Sequence, residues 1–168
     1  MLNTPTCITL KPFEILIEII SANNSHSREI WEWRNNPVSK SMFHNNDLVS
    51  WEEHCLWFEE SLKDSKRKMY IAINGKELYG IVRFDSLPKN SSEFEVSINL
   101  KPSKRGKGLS KEILELSICK LLKDNPSVNI LFAEVKLNNI TSNKLFKSLN
   151  FFKRPSSKKG FNLYSRNI

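Results

Sequence analysis

The chain has 168 residues, the usual length of one domain, of which 39% are hydrophobic and 26% charged, and this balance excludes a disordered, collagen-like or disulfide-stapled protein. No apolar run approaches the roughly 20 residues of a membrane helix, so we expect a soluble domain with no membrane partner. The formal charge of +8 favours an anionic partner such as nucleic acid, a nucleotide or a phosphorylated cofactor, although Lys residues spread along the chain also suit an ordinary solvated surface.

The cysteines, Cys7, Cys55 and Cys119, are odd in number and widely spaced. This usage is typical of reduced thiols, and it predicts neither disulfides nor a metal site. The N-terminus lacks a basic segment followed by an apolar stretch and a cleavage site, so we expect a cytoplasmic protein.

The first half of the chain predicts a strand within residues 7–20 and a short helix over residues 28–34. That helix stops at Asn35-Asn36-Pro37, because the residue before a proline disfavours helix. Ser50 and Glu53 form a capping-box pattern that predicts the start of a second helix.

Strands 69–73 and 78–84 flank the Asn74-Gly75 turn, which predicts an antiparallel hairpin. A polar loop over residues 88–92 precedes a strand in which apolar and polar residues alternate from Phe94 to Leu100, the pattern of a half-buried strand.

The second half predicts a basic, glycine-containing turn over residues 101–108 and then a helix that ends at Asp124-Asn125-Pro126. The remaining predicted elements are a buried strand over residues 128–135, a helix over residues 139–148 that begins at Asn138-Asn139, and two closing strands over residues 151–153 and 161–164. This order predicts one α/β domain over residues 1–168, with a mixed sheet between helices on both faces.

The turn before the long helix is the segment best suited to bind an anion. Gly106 and Gly108 let backbone amides approach a ligand closely, and the unpaired amides around Arg105 to Ser110 suit a pyrophosphate. Lys104, Arg105 and Lys107 are expected to add charge beside those amides. The spacing matches neither a Walker A loop nor a GxGxxG fingerprint, and on these residues alone a plain loop-to-helix junction is the alternative.

Two motifs point to a known superfamily. Residues 105–110, Arg-Gly-Lys-Gly-Leu-Ser, resemble the R/Q-x-x-G-x-G/A pyrophosphate loop of the Gcn5-related N-acetyltransferases, and residues 139–151 are similar to its second signature, N-x-x-A-x-x-L-Y-x-x-x-G-F. The resemblance implies acetyl-CoA as cofactor and a mostly antiparallel mixed sheet. The implied cofactor contacts are Ile98, Asn99, Leu100, Lys104, Arg105, Gly106, Lys107, Gly108, Leu109, Ser110, Asn139, Ser142, Leu145 and Phe146.

The chain departs from the second signature at two positions. Phe146 replaces the usual Tyr that protonates the departing thiolate, so the resemblance implies another donor such as Ser142, Asn139 or water, departure as the thiolate, or an inactive protein. We favour activity. Asn150 replaces the usual Gly, which predicts a left-handed turn residue, since Asn tolerates that conformation.

In this superfamily an amine attacks the thioester directly, and a carboxylate is expected to accept its proton. The candidates are Glu134 and Glu95, and Ser97 and Asn99 share a strand face with Glu95 and are expected to hold a water. Apolar neighbours of Glu134 predict that its carboxylate points into a cleft, where burial would raise its pKa, so Glu134 is preferred. The alternative for either residue is a surface carboxylate paired with a Lys.

The first half looks like a subgroup that acetylates nucleotide-linked amino sugars. The resemblance covers residues 31–37, 50–58 and 80–84, and it implies transfer to the 4-amino group of a UDP-linked dideoxy sugar in pseudaminic or legionaminic acid synthesis. The substrate contacts expected on this basis are Arg34, His44, His54, Trp57 and Arg83, with core packing or surface ion pairs as the alternative roles.

Three other functions stay open at this point. In the first, the acceptor is a protein N-terminus or a small-molecule amine, and the Trp-Arg-Asn-x-Pro element is compatible with this acceptor. In the second, the chain is a non-catalytic acyl-CoA-binding domain. Nucleic-acid binding is disfavoured because the charge lacks a recognition motif. The protein is expected to be a monomer or a homodimer.

Overall fold

The computed structural model describes residues 16–43, 45–88 and 90–168. The first strand, β1, is Glu18–Ser21 and lies at the end of the predicted range. The rest of that range up to residue 15, together with Cys7 and the candidate substrate residue His44, lies outside the described residues.

Three helices follow β1. A 3-10 turn at Asn24–His26 leads into α1 (Ser27–Asn35), which ends where the Asn-Asn-Pro sequence predicted. The chain then begins a further short helix, α2 (Pro37–Met42), because the Asn36 side chain caps it by accepting from the Val38 amide and Pro37 suits its first turn. The sequence did not predict α2.

Helix α3 (Trp51–Lys63) begins at the predicted capping box. The Glu53 amide donates to the Ser50 hydroxyl and the Ser50 amide donates to the Glu53 carboxylate, both over 3.1 Å. These two bonds satisfy amides that the helix itself leaves unpaired.

The predicted hairpin and the alternating strand form a meander of three strands, β2 (Arg67–Asn74), β3 (Glu77–Leu87) and β4 (Asn90–Leu100). Both neighbouring pairs are antiparallel. Gly75 in the first turn has φ +58°, a left-handed conformation that glycine adopts readily.

The remaining elements alternate helix and strand. They are α4 (Leu109–Asp124), β5 (Ile130–Lys136), α5 (Ile140–Ser148), β6 (Phe152–Arg154) and β7 (Phe161–Asn167). The sheet order is β1-β2-β3-β4-β5-β7-β6; β4 and β5 are parallel, and every other neighbouring pair among these strands is antiparallel. The predicted mixed, mostly antiparallel sheet is confirmed.

Helices cover both faces of this sheet. Helices α4 and α5 pack on one, here called the α4 face, which holds the larger core, and α1 and α3 pack on the other, the α1 face. Representative buried residues of the α4 face are Phe84, Phe94, Ile113, Leu114, Leu131 and Phe146, and those of the α1 face are Ile30, Trp33, Phe58, Met69, Ile71 and Ile81. Within the described ranges no helix is long and apolar enough to cross a membrane.

The predicted left-handed residue after α5 is confirmed. Asn150 has φ +60°, and its amide donates to the Lys147 carbonyl over 3.2 Å while the Phe151 amide reaches back to the Phe146 carbonyl over 3.1 Å. These bonds satisfy carbonyls at the end of the helix, so an Asn substitutes for the usual Gly without loss of the turn.

Candidate active site

The central feature of the site is a gap between two parallel strands. Pairing of β4 with β5 runs from Glu93–Ile130 to Glu95–Phe132. Strand β4 continues to Leu100 and β5 to Lys136, so the two strand ends lie beyond the last pair. We call this region the splay. Because parallel strands end at the same edge of a sheet, α4 and α5 both begin beside it.

The turn into α4 has the backbone conformation expected of an anion-binding loop. Gly106 has φ +72° and Gly108 has φ +75°, values that favour glycine. A Cβ at either position would meet nothing within 4 Å, so the glycines serve backbone conformation and the space before the loop is open. The first amides of this 16-residue helix have no intrahelical acceptor and carry the positive end of its dipole. The loop therefore fits the pyrophosphate of acetyl-CoA.

The basic side chains of the loop do not all face that space. Lys104 Nζ lies 2.6 Å from a Glu77 carboxylate oxygen and 4.1 Å from the centre of the Tyr79 ring, so its charge is paired within the protein. Lys107 is exposed. The expectation that Lys104 adds charge beside the helix amides is therefore corrected, and it is retained for Lys107.

Arg105 points away from the loop and into the protein. Its Nε and Nη2 donate to the Leu100 carbonyl over 3.1 and 3.0 Å, and Nη1 donates to the Asn36 side chain over 3.1 Å. Its Nη2 also donates to the Ser39 hydroxyl, and to the Asn99 side chain over 3.3 Å. Burial lowers the pKa of Arg105 from its ordinary value. The expectation that this guanidinium adds charge beside the cofactor is corrected, since its donors are used by β4 and α2.

Polar side chains of three strands meet on the α1 face beside the splay. Register pairs Asp85 with Glu95 and Glu95 with Phe132, and side chains of paired residues share a face. Alternation along each strand then places further polar residues on the same face. The polar residues on this face beside the splay are Arg83, Asp85, Glu95, Ser97, Asn99, Glu134 and Lys136.

Asp85 is held between two arginines at one end of this group. Arg83 Nε lies 2.7 Å from one carboxylate oxygen, and Arg67 pairs with the other. The ring of Trp57 lies 5.7 Å from the Arg67 guanidinium carbon and 5.8 Å from that of Arg83. Part-buried Trp57 and Arg83 thus lie together in an aromatic and basic wall, and Arg83 forms the ion pair that the sequence left open as its alternative role.

Glu95 lies in the middle of the group and has the environment of a general base. Burial raises the pKa of Glu95, and the negative charges of Glu134 and Asp85 raise it further, while Arg83 and Lys158 act in the opposite direction. A carboxyl group with a raised pKa is better matched to accept a proton near neutral pH.

Glu134 shares that face but is paired. Its side chain is 25% exposed, and Lys158 Nζ lies 3.1 Å from its carboxylate. The buried neighbours Ala133 and Val135 do turn it away from the larger core, as expected. The ion pair with a Lys is the alternative that the sequence left open, so the geometry favours Glu95 over Glu134 as the base.

His54 is a core residue. It is 2% exposed, stacks between Trp51 and Phe58, and its Nε2 lies 2.9 Å from the Ser27 carbonyl oxygen. Burial lowers the pKa of His54. The prediction that it contacts the substrate is wrong, because no part of the ring is available to a ligand.

Arg34 lies at the end of α1, where Nη2 donates to the Asn45 carbonyl over 2.7 Å and the guanidinium covers the Phe43 ring at 4.4 Å. Its Nη1 is buried and has no hydrogen-bond partner within the described part of the chain. A guanidinium nitrogen in this situation can donate to an anion only after a local rearrangement that exposes it.

Helix α5 borders the splay on the β5 side. Asn139 caps it by accepting from the Ser142 amide over 3.1 Å, and Leu145 is packed against the larger core. Phe146 is 3% exposed and contacts Phe151 and Tyr164. The chain's departure from the usual Tyr therefore lies within the core.

The sequence analysis missed several residues that build this region. Asp85 pairs with Arg67, and Lys136 and Lys158 contact Ser41 and Glu134, all across long sequence separations. Asn143 was also missed: its side chain donates to the Lys136 and Asn139 carbonyls and accepts from Asn162 and the Tyr164 hydroxyl. The signal available for Asn143 was its place in the helix, three residues before the apolar Phe146 and so on the same face.

A splayed parallel pair next to a glycine turn and a helix N-terminus suits a phosphorylated ligand bound at the sheet edge. Residues 17–151 match the acetyltransferase (GNAT) domain family. The chain belongs to this family, as the two sequence motifs indicated. It is an acyl-CoA-dependent N-acetyltransferase, and acetyl-CoA is its cofactor.

Known proteins resemble the chain in sequence and in fold. Acetyltransferase PseH from two strains of Campylobacter jejuni is 28% and 26% identical over 129 residues, which cover 77% of this chain and 78% of each relative. In fold, the chain resembles yncA of Salmonella typhimurium, solved with its cofactor acetyl-CoA, with a TM-score of 0.73 and 18% identity over 90% of this chain and 93% of that one.

Proposed function

We propose that the protein transfers the acetyl group of acetyl-CoA to the 4-amino group of a UDP-linked amino-dideoxy sugar, a cytoplasmic step in nonulosonic-acid and surface-glycan biosynthesis. The observation that carries the proposal is the wall of Trp57 and Arg83 beside the raised-pKa carboxyl of Glu95. A nucleotide sugar offers a ring to stack, a diphosphate to pair and an amine to deprotonate, and this wall and carboxyl match all three. The similarity to Acetyltransferase PseH supports the same acceptor class.

Glu95 is the general base in this proposal. An amine reaches the site mostly as an ammonium ion and must lose a proton before it attacks. The negative charge of Glu95 favours the cation, whereas Asp85 and Glu134 are already ion-paired. Glu95 takes the proton directly or through a water held by Ser97 and Asn99. Arg83 and Lys158 limit the mutual repulsion of the carboxylates.

The end of β4 orients the donor. Acetyl-CoA supplies an acetyl thioester, and the backbone amides of Ile98 to Leu100 lie in the part of β4 that extends beyond its pairing with β5. Alternate amides of a strand point to the same edge, so some of these are directed toward the splay, where they polarise a carbonyl oxygen. Orientation of this kind supplies about 7–11 kcal/mol in favourable cases.

In this proposal the loop before α4 binds the donor's phosphates. The amides from Gly106 to Ser110 hold the pyrophosphate, and exposed Lys107 adds charge. On the acceptor side, Arg83 and the unpaired Nη1 of Arg34 are the donors assigned to the diphosphate. Protonation of the leaving sulfur needs little help, since a thiol has a pKa near 8.5, which is consistent with Phe146 in place of Tyr.

The test is an acceptor panel. The protein is incubated with acetyl-CoA and a set of UDP-linked 4-amino-4,6-dideoxy sugars, with a peptide amine and spermidine as comparison acceptors, and free thiol and product mass are followed. We expect thiol release and a mass gain of one acetyl group with a UDP-sugar. Transfer only to the peptide or the polyamine, or CoA binding without any transfer, would contradict the proposed acceptor.

A further inference from the structure

Helix α2 lies across the end of the splay and is too short to be stable alone. It has six residues, and isolated helices of this length do not form in water, so its order depends on contacts with the rest of the protein. Besides its packing against α1, α2 accepts hydrogen bonds from two cationic side chains, Arg105 in the loop after β4 and Lys136 at the end of β5.

On the β4 side the contact is Arg105. Its guanidinium bonds to Asn36 at the start of α2 and to the buried hydroxyl of Ser39 within it. The Ser39 hydroxyl itself donates to Asn99 over 3.1 Å, on the same strand face as Ser97 and Glu95. Arg105 therefore joins the cofactor loop to α2 and to the polar face of β4.

On the β5 side the contact is Lys136. Its Nζ donates to the Ser41 carbonyl over 3.0 Å and to the Asn46 side chain over 2.8 Å. This second attachment holds the other end of α2 and the segment after it, but it does not involve the cofactor loop.

The difference between the two attachments has a consequence for ligand binding. Arg105 immediately precedes the loop's positive-φ residue Gly106 and lies three residues before Gly108. A ligand that immobilises the backbone of the loop also immobilises the backbone of Arg105. This restricts the Arg105 guanidinium, whose N–H groups donate to α2. We propose that Arg105 is a positioning residue through which CoA binding orders α2 over the splay.

The inference does not depend on the acceptor, because its test uses CoA alone. Hydrogen exchange of the α2 amides from Lys40 to Met42 is measured with and without CoA. If α2 can open only when the loop is free of CoA, a CoA concentration of about 100 times Kd slows this exchange by up to about 100-fold. We expect slowing of at least about tenfold in the wild type, with the exchange of α3 as the internal reference.

Arg105→Gln is the main variant. It removes the fork of donors, and we expect the CoA-dependent slowing in α2 to fall below about twofold at the same multiple of Kd. Arg105→Lys keeps the charge but not the planar fork, so it is expected to give the same loss. Equal slowing in wild type and both variants, or no slowing in the wild type, would overturn the proposal.

Three further variants separate coupling from mere loosening. Lys107→Gln removes a charge from the same loop and is expected to weaken CoA binding while α2 still slows at matched saturation. Lys136→Gln is expected to speed α2 exchange in the free protein and to keep the CoA-dependent factor. Ser39→Ala leaves the loop intact and removes one of the two α2 partners of Arg105, the other being Asn36, so it is expected to reduce the CoA-dependent slowing. An undiminished slowing in this variant would show that the route through Ser39 is wrong.

Discussion

The strongest prediction concerns Glu95→Gln. The substitution preserves size and removes only the ability to accept a proton. General-base catalysis contributes about 10²- to 10⁴-fold, which is about 2.7–5.4 kcal/mol of transition-state stabilisation. The residues that orient donor and acceptor are unchanged, so the proximity contribution remains and the variant is expected to keep a slow, measurable rate.

The pH profile gives the sharper readout. Because burial and two neighbouring carboxylates raise the pKa of Glu95, the acid limb of kcat/KM is expected above the pH at which an ordinary Glu titrates. Activity rises with pH through that limb as the base becomes ionised. Glu95→Gln is expected to abolish the limb, and Glu134→Gln, which removes one negative charge, to move it to lower pH.

Stability is expected to change in the opposite sense to activity. When a carboxyl has a higher pKa in the folded protein than in the unfolded protein, the folded state loses stability as the pH rises from the unfolded-state pKa through the folded-state pKa. Glu95→Gln removes that loss, so its Tm near pH 7 is expected to equal or exceed that of the wild type. A 10²-fold loss of kcat/KM in Glu134→Gln, with Glu95→Gln near wild type, would refute the assignment.

Three structural substitutions test the framework of the site. Gly80→Ala places a Cβ 2.7 Å from Leu100 Cδ2 and 2.9 Å from the Asn99 carbonyl oxygen, and this overpacking is expected to cost about 1–3 kcal/mol and to lower Tm by about 2–12 °C in thermal unfolding. Asn150→Ala, at φ +60°, is expected to destabilise by about 1–2 kcal/mol in urea titration, whereas Asn150→Gly is not. Gly108→Ala strains a residue at φ +75° and is expected to raise the Kd for CoA by calorimetry; Gly75→Ala, equally left-handed but in the β2–β3 turn, should leave that Kd unchanged.

Local sequence signals were sufficient for most of the fold. The capping box at Ser50 and the Asn74-Gly75 turn act over a few residues, and both were found where expected. Helix α2 was missed because several of its hydrogen-bond partners, including Arg105 and Lys136, lie far along the chain. Short helices held by distant side chains leave little pattern in their own sequence.

Predictions for the site failed where side-chain partners decide. The predicted approach of a ligand to the amides around Gly106 and Gly108 stays a prediction, and the positive φ of both residues is compatible with it. Alternation along β5 correctly turned Glu134 away from the core, but its pairing with Lys158 depends on the loop between β6 and β7. The same limit applies to Arg105 and His54, whose partners lie on other elements.

The distribution of charge explains how a basic protein can serve an ammonium substrate and an anionic donor at once. Several cations near the site have acidic partners: Lys104 pairs with Glu77, Lys158 pairs with Glu134, and Arg67 and Arg83 share the single carboxylate of Asp85. The net +8 therefore contributes little at the splay itself, where short-range groups dominate. Attraction for the donor's phosphates comes from helix amides at the sheet edge, while attraction for the ammonium comes from the Glu95 carboxylate on the α1 face.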